Sequence, residues 1–386
     1  ISYSVTGVQT CALPIFDSDL ADVSFDVAGS SRTGYSVRAS ADSVRFAYKD
    51  VAISTSPVAV RGGLSGSRFR VDDLTMNLRG MNVSLRGFEY SAGSDSLLAG
   101  RVIIEGETSG IASFVRSAFA PGIPSLSGKM AVEAELGGTP GNVHLALALA
   151  APNVDFGGVR LANVQMRGSW KDRAARVESL SVDVFGGTVR GSGTFDARTR
   201  SAGNVSLDFD GIGVRDIGRL AGLHSLRGRI SGSFEGEGPF DDSGDIRADL
   251  ALRTRGLMYR NRGLPDISGK ISLADGIADM ELSAGGSNAR AKAGIAGGAV
   301  DCEFALYVPR ISDFQACADS SEIAGEIAAR GTLRGRLQSP EIHASFEGHS
   351  IKYDNFPIDS LEGAVTWKNG ALFFADIRSE ERRVGK

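Results

Sequence analysis

The chain has 386 residues, 42% of them hydrophobic, with 50 glycines, 11 prolines and a formal net charge of -4 from 42 basic and 46 acidic side chains. That apolar content can bury a large surface, while the slightly acidic balance lacks the basic stripe of a phosphate-backbone binder and argues against nucleic acid as a partner. No apolar run approaches the roughly 18 residues of a membrane-spanning helix.

The first segment, residues 1–16, contains YSVTGVQTCALPIF, which resembles translated adapter read-through, and so does the closing RSEERRVGK over residues 378–386. Native sequence is therefore expected from Asp17 to Ile377. The chain lacks an initiator Met and reads as an internal piece of a longer protein.

Residues 17–110 read as a partial β-repeat unit. Leu74, Met76 and Leu78 alternate with Thr75, Asn77 and Arg79, which predicts strands with one apolar and one polar face. A short apolar, helix-like stretch, Ile111 to Ala118, then opens a full unit over residues 111–213 and leads to an aliphatic-x-Gly step at Leu126-Ser-Gly128. The same pair recurs as Val214 to Ala221 with Leu226-Arg-Gly228 in residues 214–310, and as Ile311 to Ala318 with Ile323-Ala-Gly325 in the partial unit 311–377. A second landmark follows each step, beginning at Gly168, Gly269 and Gly363. A block that returns at a near-constant spacing predicts an array of like units rather than one core around one active site.

Within the units, Leu180, Val182 and Val184 alternate with Ser181 and Asp183; Val205, Leu207 and Phe209 with Ser206, Asp208 and Asp210; Ile342, Ala344 and Phe346 with His343, Ser345 and Glu347. Gly186-Gly187, Asp275-Gly276, Gly285-Gly286 and Asn369-Gly370 supply hairpin turns, because these residues tolerate positive φ. Short turns predict antiparallel pairing, since parallel strands need long crossovers. With so little helix, the apolar faces are covered either by sandwiching two sheets or by curling one long sheet. The glycine content and the continuous repeat favour the second.

The motifs that carry catalysis are missing. The histidines His144, His224, His343 and His349 show no metal-ligand spacing; His343 and His349 on one strand would lie roughly 20 Å apart at about 3.3 Å per residue. Asp241-Asp242-Ser-Gly-Asp245 and Asp208-Phe-Asp210-Gly211 depart from the spacing of a calcium loop. The glycine pairs at Gly191, Gly193 and at Gly211, Gly213 lack the third glycine of a dinucleotide loop, and Gly128 and Gly269 precede lysines with no following Ser or Thr. Cys11 falls in the first segment; Cys302 and Cys317 fit no zinc or redox motif and read as buried thiols rather than a disulfide. Trp170 and Trp367, at equivalent repeat positions, read as structural plugs. No enzyme activity and no cofactor is expected.

Taken together, the run Gly331-Thr-Leu-Arg-Gly to Pro340-Glu-Ile-His-Ala-Ser-Phe, then Phe356-Pro-Ile-Asp-Ser-Leu-Glu-Gly and Trp367-Lys-Asn-Gly-Ala-Leu, resembles the AsmA/TamB superfamily, as does the segment from Val177 to Phe195. These are bridge-like, repeating-β-groove lipid transfer proteins of the Gram-negative envelope. The resemblance implies an all-β fold: an elongated, curled, mostly antiparallel repeat sheet, or β-taco, with a hydrophobic groove and a few short helices at the repeat starts. It implies a periplasmic, inner-membrane-anchored parent that carries phospholipid acyl chains toward the outer membrane, with the anchor helix outside this piece and an outer-membrane barrel of the TamA type as partner. The expected groove lining is Leu147, Val182, Val184, Leu207, Phe209, Leu250, Leu252 and Phe346. A chaperone for outer-membrane β-barrel assembly and a structural or adhesive surface repeat are the competing readings.

Overall fold

A computed structural model describes residues 2–3, 17–30, 32–48, 51–91, 97–109, 124–139, 142–220, 225–239, 246–296, 299–317, 322–336, 339–354, 356–368 and 370–380. Among the described residues the fold is all-β: 24 strands of one antiparallel sheet, with two short helical segments. The chain divides into two compact units, one of residues 1–184 with 190–197, the other of residues 185–189 with 198–386.

In the first unit the strands Gly34–Tyr48, Val51–Ser65, Arg68–Leu78, Met81–Ser91, Leu97–Glu107, Leu126–Thr139, Asn142–Phe156, Val159–Lys171 and Ala174–Val184 pair each with the next. The second unit repeats the scheme from Ser201–Gly213 through Leu226–Pro239, Arg247–Tyr259, Ile267–Ala274, Ile277–Ala284, Ser287–Ala296, Ala299–Val308, Ile323–Arg336, Ser339–Tyr353 and Phe356–Lys368 to Ala371–Glu380. Each unit is thus one meandering layer, not two sheets packed as a sandwich.

Tight turns with two consecutive positive φ values join the strands, at Asp275 (52°) and Gly276 (72°), at Gly285 (58°) and Gly286 (86°), and at Arg260 (49°) and Asn261 (66°). Such turns match the right-handed twist of the strands they connect. One turn sits a residue earlier than the glycine pair indicated: Phe185 (φ 51°) and Gly186 (φ 75°) make it, and Gly187 opens the next strand.

The aliphatic-x-Gly step has a structural meaning. Gly128, Gly228 and Gly325 have φ of 129°, 136° and 114°; the register shifts at Gly228 and Gly325, between Arg227 and Arg229 and between Ala324 and Glu326, and just after Gly128, between Lys129 and Ala131. These are β-bulges, in which an extra residue kinks the strand. A Cβ on Gly325 would stand 2.7 Å from the Ser350 carbonyl oxygen. On the facing strand the inward positions step by three, from Ala151 to Val154, Thr254 to Leu257 and Gly348 to Ile351, and Val154, Leu257 and Ile351 are buried. The recurring bulge therefore seats one buried aliphatic per repeat.

The helix Val214–Leu220 is too short to stand alone. It is held by the buried Val214 and by an ion pair of 2.6 Å between Asp216 and Arg219. Ile311–Cys317 is a 3-10 segment kinked at Phe314 (φ -107°), with Ala316 buried, and the Gln315 side chain accepts the Ile323 N–H at 3.1 Å. The third expected helical stretch, Ile111 to Ala118, lies outside the described residues.

Candidate functional site

The candidate site is a face rather than a cleft. In the second unit the register aligns Leu207, Phe234, Leu250, Ile271, Met280, Ala291, Phe304, Gly331, Ala344, Val365 and Phe374 in one row across the strands. The next row on the same face is Phe209, Gly232, Leu252, Gly269, Leu282, Ala289, Leu306, Ala329, Phe346 and Gly363. Neither row contains a charge. All of these residues are half-buried except Leu306 and Phe374, which are exposed. Within the unit no second sheet covers them, and that is why side chains so apolar stop short of full burial.

The second row alternates large with small. Phe209 lies over Gly232, where a Cβ would meet its Cζ at 2.7 Å, and Phe346 lies over Gly363, where the distance would be 2.8 Å. Leu282 reaches over Gly269 in the same way. A large side chain reaching over the glycine of the neighbouring strand covers bare backbone, the device known from edge glycines rescued by aromatics.

The first unit carries matching rows, Ala39, Val60, Leu74, Leu85, Val102, Ala134, Leu147, Gly168 and Val177, and beside it Ala41, Val58, Met76, Val83, Ile104, Val132, Leu149, Met166 and Leu180. The eight residues expected from sequence all fall on apolar faces and are half-buried: Leu147, Val182 and Val184 in the first unit, Leu207, Phe209, Leu250, Leu252 and Phe346 in the second. Val184 stands opposite Leu161, beyond a register shift at Asn163 (φ 50°).

The opposite face is charged in ladders. Asp301 pairs with Arg334 at 3.1 Å, Glu341 with Lys368 at 3.0 Å and Glu281 with Arg290 at 3.3 Å. The Lys368 hydrogen bond, and after it that of His343, holds the Glu341 carboxyl below the usual carboxylate range. Exposed pairs of this kind add little stability, but a one-residue slip would drive the whole ladder onto the apolar face, so they fix register. A shallow concavity of about 890 Å³ on this charged face brings Lys270, Arg290 and Lys292 among Asp249, Asp279, Glu281 and Glu303. From Asp249 across to Glu303 its charges alternate strand by strand, whereas Glu235 and Asp249, both acidic, stand directly opposite each other.

His343 bonds Glu341 at 3.0 Å and Thr366 at 3.1 Å, a ladder member and not a ligand. No group of side chains among the described residues could hold a metal ion, and the acidic cluster Asp241 to Asp245 lies outside them. Cys302 and Cys317 are free; Cys302 is half-buried, its thiol pushed up chiefly by burial and then by Asp301 and Glu303, whereas Cys317 is exposed, against the expectation of two buried thiols. Trp170 and Trp367 both sit half-buried on the apolar face next to a turn, opposite Leu145 and Ile342. Among the described residues no helix is long and apolar enough to cross a membrane.

The family profile for "TamB, N-terminal domain" matches residues 154–379, more than half of the chain. No curated protein matches the chain, and no solved structure does.

Proposed function

The chain belongs to the TamB family, a non-catalytic family of the cell envelope, and on that premise we propose that its apolar face carries phospholipid acyl chains between the inner and outer membranes. The observation that supports this most is the pair of charge-free rows crossing the strands of the second unit with no second layer over them. Burying a methylene is worth about 0.8 kcal/mol. A lipid that leaves a bilayer loses that for each carbon of its chain, and a continuous apolar row returns it step by step, replacing one high barrier with a nearly level path. Aliphatic side chains interspersed with a few phenylalanines offer contact without a fixed shape, which suits a flexible hydrocarbon better than a rigid ligand. The polar face stays in water, as its paired charges require. In the parent protein this reading places the chain in the periplasm, tethered to the inner membrane, with a TamA-type outer-membrane barrel as partner.

Photo-crosslinking distinguishes the two faces. A photoreactive residue at Val182, Leu207 or Leu250 should capture phospholipid, and the same residue at Asp183, Ser206 or Asp249 should not. Equal capture from both faces would remove the proposal.

A further inference from the structure

The chain is acidic overall, yet one end of two adjacent strands is strongly basic. Residues 211–230 and 252–267 hold eight arginines, no lysine or glutamate, and two aspartates. Of the aspartates, Asp216 is engaged by Arg219 at 2.6 Å, and Asp266 accepts the Leu257 N–H at 3.3 Å.

Register places Arg229 directly opposite Arg255, and Arg227 opposite Met258. Arg253, two residues before Arg255, shares that face, which is the polar one. Arg229 donates to the carbonyls of Gly186 and Gly211 at 3.2 and 3.0 Å. Arg227, Arg253 and Arg255 are exposed and pair with no described carboxylate. Like charges set directly opposite in an antiparallel pair are destabilising, so the Arg229 and Arg255 opposition is a standing cost that a bound anion would offset. Apolar side chains sit among the cations. Met258 is 36% exposed, directly opposite Arg227, and Ile217, in the helix Val214–Leu220, is 40% exposed on the side turned away from Arg215 and Arg219.

We propose that this strand end docks on the phosphate layer of an anionic lipid bilayer. Guanidinium groups bind phosphate in a bidentate fork, and cations mixed with exposed apolar side chains are the composition of a surface that settles into the headgroup region. Donors spread across two strands fit a sheet of phosphates better than a single ion, which calls for donors converging in a pocket. The inference concerns the polar face and holds whether or not acyl chains travel on the apolar one.

Flotation of the full chain with vesicles tests it. Vesicles of phosphatidylcholine with phosphatidylglycerol should bind the protein, pure phosphatidylcholine vesicles should not, and binding should weaken as salt is raised. The variant R227Q/R253Q/R255Q should lose about 100-fold in affinity, at roughly fivefold per arginine near a charged surface. R290Q, in an ion pair on the same polar face, should bind as the parent chain does. Circular dichroism checks that the triple variant is folded; were it not, the triple lysine variant, which keeps the charge, should retain most of the binding and its loss would count against the proposal. Equal binding to both vesicle types, an unaffected triple variant, or complete displacement by millimolar inorganic phosphate would overturn it. Lipid capture at Leu207, read in the same samples, reports the apolar face alone, so the two proposals fail separately.

Discussion

Gly325 illustrates how much of this fold is decided atom by atom. Its φ of 114° is one that L side chains avoid, and the Ser350 carbonyl oxygen occupies the space a Cβ would take, at 2.7 Å. Both penalties fall on a bulge whose facing residue, Ile351, is among the few buried aliphatic side chains described in the second unit. Gly325→Ala should therefore destabilise that unit by about 1–3 kcal/mol through backbone strain and lost packing, measured as a lower denaturant midpoint. Gly370, with φ of 76° but open space around the missing Cβ, bears only the conformational part, and Gly370→Ala should cost less. The recurrence of an aliphatic-x-Gly step is visible in sequence, but its role is not, because the clash is with a strand more than twenty residues away.

At the scale of the strand, the period-two pattern reports which side chains share a face, and the placement of the eight named residues on the apolar faces was legible for that reason alone. What alternation cannot report is which residues stand side by side. The reach of Phe209 over Gly232 and the opposition of Arg229 and Arg255 both depend on register, and register is set by turns and bulges that displace the strands by single residues. The turn at Phe185 and Gly186 is an instance: sequence favours the glycine pair, yet the structure puts a phenylalanine at φ 51°. The same single-layer arrangement decides the fate of a charge placed on the apolar face. Leu207 is half-buried, with Phe234 beside it and no second sheet above it within the unit. Leu207→Arg should cost on the order of 1–2 kcal/mol, because the methylene stem can lie along the row while the guanidinium reaches water, and it should interrupt lipid capture farther along the row. A denaturation curve showing loss of several kcal/mol, the expectation for a charge in a dry core, would mean that the face is covered.

For the whole molecule, the consequential property is that strands pair with their neighbours in sequence. Stability should then be close to a sum of local terms, as in other repeat proteins, because among the described residues no single core gathers the buried side chains. The buried apolar residues agree, since Val71, Met81 and Val154 in the first unit and Leu257, Val308 and Ile351 in the second are dispersed along the chain rather than gathered. Opening should accordingly be regional, with free energies that differ from one stretch to the next. Hydrogen exchange on Gly325→Ala makes this measurable. Amides of Ile323–Arg336 and Ser339–Tyr353, the two strands the bulge joins, should lose protection, while those of Asn142–Phe156 in the first unit keep theirs. Uniform loss across both units would show that the array behaves as one cooperative body. A regional response bears on the proposed function: on that reading the apolar face admits and releases hydrocarbon, and it can loosen at one repeat while its neighbours hold register, so that such a path needs no concerted opening to work.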